Sequence, residues 1–139
     1  MEKVRVTCDC GHTVECLAYG TGVDIEEYKA YLVIYGCPRC VFGDISLPAL
    51  TGPEHMIDRA RGIRRQRVEH MLYALKELEQ SRGIARVDKE QYRRAVGYMM
   101  EITRAGFWID HQSYPIDDMF FMAAQAIEHS AGAMMEIGA

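Results

Sequence analysis

No run of about eighteen uninterrupted apolar residues occurs anywhere in this chain of 139 residues, and its first residues, MEKVRVTC, contain no apolar core of signal-peptide type. Both absences point away from membrane insertion and secretion, so the expectation is a cytoplasmic protein with no membrane partner. There is no Gly-rich phosphate loop, no G-x-S-x-G, and no Cys/His pair outside the cysteine pairs described below. The common signatures of nucleotide hydrolysis and of serine or cysteine hydrolysis are therefore missing. Positive charge is missing from residues 105 to 139, which carry five acids and no Lys or Arg. Internal repeats and low-complexity tracts are also lacking, and because 49% of the residues are apolar, disorder is excluded as the general state.

The charge that is present is unevenly placed. Residues 1 to 53 hold four Lys/Arg against seven Asp/Glu, and residues 54 to 104 hold twelve against eight, for a net −4 over the whole chain. A nucleic-acid role would have to rest on a local patch, since a one-sided total is lacking. Such a patch exists at RARGIRRQR, where Arg59, Arg61, Arg64, Arg65 and Arg67 fall within nine residues without an acid among them. At 100° per residue Arg64 falls inside the apolar arc of the helix that contains it, with Arg67 toward its edge. The reading is a turn that overhangs the core into solvent or meets a partner. Protein is the expected partner, and DNA or RNA is the alternative, because arginine binds phosphates bidentately.

Short β-branched segments, KVRVTC (3 to 8) and TVECLAY (13 to 19), predict a hairpin. YKAYLVIY, Tyr28 to Tyr35, reads as a third strand and DISL, 44 to 47, as a fourth. LPALTGP, with two prolines and a glycine, marks a boundary, giving units 1–50 and 51–139. Beyond it three helices are predicted, about 53–81, 88–105 and 116–137. The first opens at Pro53, carries Val68, Met71, Leu72, Leu75 and Leu78, and stops at Ser81, Arg82 and Gly83. The second opens on an Asp88/Gln91 capping box and stops at Gly106. The third follows Pro115 and has few polar residues after Asp117 and Asp118. The fold class expected is α+β, a β module followed by a three-helix segment. Met99, Met100, Met119, Met122, Met134 and Met135 are read as core filling, with homodimer pairing through the methionine-rich helices as the alternative.

Cysteine is scarce but grouped: three of the five residues lie in TCDCGHTVEC and two in GCPRCVFG. An odd number of cysteines in C-x-C and C-x-x-C spacing, in a reducing compartment, points to metal. Four thiolates need two tight turns that each present a pair of sulfurs, and a glycine after a pair lets the backbone turn under the metal. Cys8 and Cys10 with Gly11 form one knuckle and Cys37 with Cys40 the other, across a 26-residue spacer. Residues 1 to about 48 thereby resemble the zinc-ribbon family, although C-x-C is one residue shorter than its usual knuckle. The resemblance implies a structural Zn2+ held by Cys8, Cys10, Cys37 and Cys40 at the ends of β-hairpins. His12 competes for one of these places. Cys16 does not: six strand and turn residues place it more than about 10 Å from the knuckle, against a metal–sulfur bond of about 2.3 Å.

Two catalytic arrangements compete with this one. Nucleobase deaminases use H-x-E with P-C-x-x-C, and the chain offers His12, Glu15, Cys37 and Cys40, but its spacing is H-x-x-E and its proline lies inside the second pair. Asp110, His111, Asp117, Asp118, Glu128 and His129 fit no metal template, and acids beside Pro115 suit a helix N-terminus. The function expected is a non-catalytic zinc-binding adaptor or regulator that docks onto a larger protein assembly through its helical half. A nucleic-acid-binding regulator is the alternative, and a zinc-dependent deaminase or hydrolase comes third.

Overall fold

The computed structural model describes residues 3–17, 19, 21–80 and 86–138, with the side chains of 86–88 and 130–138 outside the described set. It is a mixed α/β architecture, mostly helical, with one two-stranded sheet at its N-terminus. The predicted hairpin is present as β1 (Lys3–Thr7) and β2 (Thr13–Leu17), antiparallel with Val6 opposite Val14 and Thr7 opposite Thr13. Gly11, at φ +90°, carries the turn, a conformation that glycine adopts without steric cost.

The third strand is not formed. Residues Gly22–Tyr35 are a helix, α1, because its start is capped: the Thr21 hydroxyl accepts from the Asp24 N–H at 3.2 Å and the Asp24 carboxylate accepts from the Thr21 N–H at 3.5 Å. The buried positions Asp24, Tyr28, Tyr31 and Leu32 then fall at helical spacing. The β-branched end of the segment, Val33 and Ile34, is left exposed. Local β propensity is weak and loses to a capped start with one packed face. Cys37 caps a second, five-residue helix, α2 (Pro38–Phe42), and DISL is irregular chain and not a strand.

The long helix α3 (Glu54–Gln80) matches the expectation; its predicted stop at Ser81 to Gly83 lies outside the described residues. The second predicted helix ends early, as α4 (Arg86–Met100), and a short helix that was not predicted, α5 (Ala105–Asp110), follows it. The break has a hydrogen-bonding cause. Thr51 donates its N–H to the Thr103 carbonyl at 2.7 Å and accepts from the Ala105 N–H at 2.9 Å, so residues 102–104 leave the helix to pair with the loop before α3. Trp108 of α5 is buried there and donates its indole N–H to the Ile102 carbonyl at 3.1 Å. The last helix, α6, runs Ile116–Gly138. The Asp88 side chain of the predicted capping box, and Met134 and Met135, lie outside the described residues.

Two apolar clusters result. The larger joins α3 to α6 through Ile63, Met71, Met99, Trp108 and Met119, so the described methionines at 99 and 119 fill core. The smaller lies under the hairpin, with Val6, Cys16, Tyr28 and Leu32. The two interpenetrate across the boundary expected at residues 48–53, because Tyr73 of α3 closes the smaller cluster and Tyr19 enters the larger one.

A buried polar seam joins α1 to α3. The Arg67 guanidinium lies 3.4 Å from the Asp24 carboxylate, which also accepts the Ile116 N–H at 2.8 Å. One side chain thus caps α1, pairs with α3 and receives the first amide of α6. Next along the seam, buried His70 meets Glu27 at 2.8 Å and lies against the Tyr28 and Tyr31 rings. Burial lowers the His70 pKa below its ordinary value, opposed by Glu27 and Asp24 and reinforced by Arg67. An unfolded histidine takes up its proton near pH 6.5 while the folded one resists, so this contribution to stability is present above that pH and is lost as pH falls below it. The urea midpoint is expected to drop between pH 7 and pH 5 in the native chain, and to drop less in His70→Gln.

Candidate metal centre

The two knuckles meet, but they bring together a different set of donors from the one expected. Cys10, His12, Cys37 and Cys40 have ligand atoms that all lie within 4.8 Å of one another. His12 Nδ1 is 3.3 Å from the Cys10 sulfur, 3.4 Å from that of Cys37 and 3.2 Å from that of Cys40. A tetrahedral shell with Zn–S near 2.3 Å and Zn–N near 2.0–2.1 Å requires N···S edges of about 3.5 Å. The donors present therefore fit a tetrahedral, thiolate-rich ion such as zinc.

Cys8 is not in this group. Along β1 the inward positions are Val4 and Val6, and the same alternation carries Cys8 onto the buried face of the hairpin. Its thiol is pushed up to about 11, first by burial and then by the neighbouring Cys10 and Cys37 sulfurs. Cys10, two residues on and exposed, is lowered to about 6 by backbone N–H groups of Cys37 and His12 that stabilise its thiolate. Cys40 is pushed up to about 12 by its hydrogen bond with Cys37, by burial and by Cys10, a crowding of sulfurs that a bound cation relieves. Cys16 is buried and donates its S–H to the Val4 carbonyl at 3.3 Å, away from the centre as expected.

The scaffold differs from two β-hairpins. One pair of donors comes from the hairpin turn and the other from the start of α2, Cys37 at its N-cap and Cys40 within it. The Cys37 carbonyl accepts the N–H groups of Cys40 and Val41, both at 3.0 Å, which closes the first turn of α2 beneath the sulfurs. Gly36 precedes it at φ +100°, where a Cβ would be strained and would lie 3.7 Å from the Cys10 Cβ. From the helical half, buried Tyr73 donates its hydroxyl to the Gly36 carbonyl at 2.6 Å and so fixes the second knuckle to α3. Tyr73→Phe is expected to cost about 1–3 kcal/mol, by leaving that carbonyl unpaired, and to weaken metal retention in a chelator competition at unchanged helix content.

The arginine run separates into two kinds of residue. Arg64 and Arg67 are buried and committed within the chain: Arg64 donates to the Pro48 carbonyl at 2.7 Å, and Arg67 to the Tyr114 carbonyl as well as pairing with Asp24. They are structural and do not form part of a partner surface. The helical angle that put Arg64 inside the apolar arc was correct, and the arginine follows its arc into the core. Arg59, Arg61 and Arg65 are exposed, the last two beside Asp58 and Glu69. The acidic and imidazole residues from Asp110 to His129 do not assemble: Asp117 and Asp118 sit exposed in the first turn of α6, and the His111 ring nitrogen meets the Phe107 carbonyl at 2.7 Å.

No helix among the described residues is long and apolar enough to cross a membrane. Comparison of the chain with protein-family models, with curated proteins and with solved structures finds no match.

Proposed function

We propose that this chain is a non-catalytic, zinc-dependent adaptor or regulator of the cytoplasm that docks onto a protein partner. The observation that supports it is the closed donor set: three sulfurs and one imidazole nitrogen fill a tetrahedral shell and leave no position for a reactive water. The deaminase arrangement needs His12, Cys37 and Cys40 with an open fourth place, and Cys10 takes that place. The surface supports a binding role through exposed apolar side chains on the helical half, Tyr92 on α4 and Phe121 on α6, which flank a cavity of about 380 Å3. Exposed Arg59, Arg61 and Arg65 extend that role to an acidic partner.

The test is affinity isolation of the zinc-loaded chain beside Phe121→Glu and beside a triple Arg59, Arg61, Arg65→Glu variant. A protein retained by the native chain and lost from either variant supports the adaptor. Retention of nucleic acid instead, weakening steeply with salt, replaces it with the nucleic-acid regulator, because phosphate contacts release counterions.

A further inference from the structure

Where α4 gives way to α5 there is a cavity of about 560 Å3, walled by Met99 of α4, Phe107 of α5, Met122 and Ala126 of α6, and Ile102 from the chain between. These five side chains are apolar, and Met99 is fully buried. One charged residue lines the cavity, Arg104, and no acid does. Arg104 is exposed and has neither an ion pair nor a side-chain hydrogen bond among the described residues. Its backbone is held in place by Thr51, which pairs with it in a parallel bridge through the Thr103 carbonyl and the Ala105 N–H. Tyr98 and Thr103 also line the cavity, and their hydroxyls have no hydrogen-bond partner among the described residues. An unpaired surface arginine is ordinary by itself. What is specific here is its place in an apolar wall that holds no acid to neutralise it.

We propose that this cavity binds a small molecule made of a flexible apolar chain and one carboxylate, a linear acyl acid, with the carboxylate on Arg104 and the chain along Met99, Ile102 and Met122. Charge fixes the head. A lining with a single positive charge is neutralised by one negative charge, repels a cation, and leaves the second charge of a dianion unmatched. The planar guanidinium presents two parallel N–H groups to a carboxylate. The walls fix the tail, because methionine is unbranched and adaptable and conforms to a flexible chain. The volume lies within the range of ligand clefts, about 300–1,000 Å3. The site shares no residue with the metal centre or with the Tyr92 and Phe121 surface, so it goes beyond the adaptor reading without resting on it.

The one tryptophan reports on this cavity. Trp108 packs edge-to-face against Phe107, with ring centroids 5.3 Å apart, and donates its indole N–H to the Ile102 carbonyl. Titration of the isotopically labelled, zinc-loaded full chain with decanoate is expected to shift the Trp108 emission and the amide resonances of Thr103, Phe107 and Ala126. From hexanoate to decanoate, each added methylene should tighten binding by up to about fourfold. Decanol should bind about tenfold more weakly than decanoate, and decylamine more weakly still. Arg104→Gln should bring decanoate down to the level of decanol and leave zinc content unchanged. Naphthoate, a rigid acid, should bind more weakly than decanoate. Equal binding of decanoate and decanol, decanoate binding unchanged in Arg104→Gln, tighter binding of naphthoate, resonance shifts that map outside the cavity, or no shifts near the solubility limit of decanoate would each overturn the site. The affinity isolation above judges the adaptor separately.

Discussion

Cys37→Ser is expected to release the metal and unfold the hairpin and α2, while α1, tied to α3 through Asp24 and Arg67, stays with the core of the helical half. The reason is size. A two-stranded hairpin is marginal in water, and the small cluster beneath it is closed by the two knuckles. Structural zinc supplies an apparent binding free energy of about 10–16 kcal/mol to such modules, so losing one ligand removes more than the folded segment can replace. The two halves can be followed separately. Trp108, the one tryptophan, lies in the larger cluster, and Tyr28, Tyr31 and Tyr73 lie in the smaller. Near-ultraviolet dichroism from the tyrosines should collapse in Cys37→Ser or after chelation, with tryptophan emission nearly unchanged. Metal content then decides the fourth ligand. His12→Ala is expected to weaken binding by more than the roughly 10–100-fold that loss of an outer-shell group costs, whereas Cys8→Ser and Cys16→Ser retain one ion per chain. Loss in Cys8→Ser with retention in His12→Ala would restore the four-thiolate set.

Asp24→Ala is expected to destabilise the whole chain by about 3–5 kcal/mol, because it strands Arg67 as a buried, uncompensated cation. Against the 5–15 kcal/mol of an ordinary domain, that is a large share. Three elements depend on this carboxylate: the α1 cap, the α3 arginine and the first amide of α6. Asp24→Asn keeps acceptors for the two amides and removes the charge, so the difference between Asn and Ala separates capping from pairing. The double change Asp24→Ala with Arg67→Met should cost less than the sum of the single changes, since the second removes the stranded charge created by the first. Urea denaturation followed by tryptophan emission measures all four. A loss below about 1 kcal/mol in Asp24→Ala would remove the pair from its central place.

Local patterns determined the hairpin, α3, α6, the exclusion of Cys16 and the convergence of the two cysteine knuckles. Each of these depends on spacing along a few residues: alternation in β1 and β2, Pro53 and Pro115 ahead of helices, and paired cysteines with glycine in the turns. Cys8 has the spacing of a ligand and shares its alternation with Cys10, so its absence from the donor group was not legible in the sequence. What spacing could not weigh was competition between distant parts of the chain. YKAYLVIY is helical because Thr21 and Asp24 cap it and α3 covers its Tyr28 face. The helix expected over 88–105 breaks because Thr51, some fifty residues earlier, offers its backbone to Thr103 and Ala105. The helical angle puts Arg64 in the apolar arc, but only Pro48, Asp24 and Tyr114 give Arg64 and Arg67 their buried partners, and His12 joins the sulfurs only once Gly36, held by Tyr73, delivers Cys37 and Cys40. Apart from the local Thr21 and Asp24 cap of α1, the deciding partner is remote in sequence, and the free energy of burying or pairing a polar group exceeds the few tenths of a kcal/mol by which local propensity distinguishes one conformation from another.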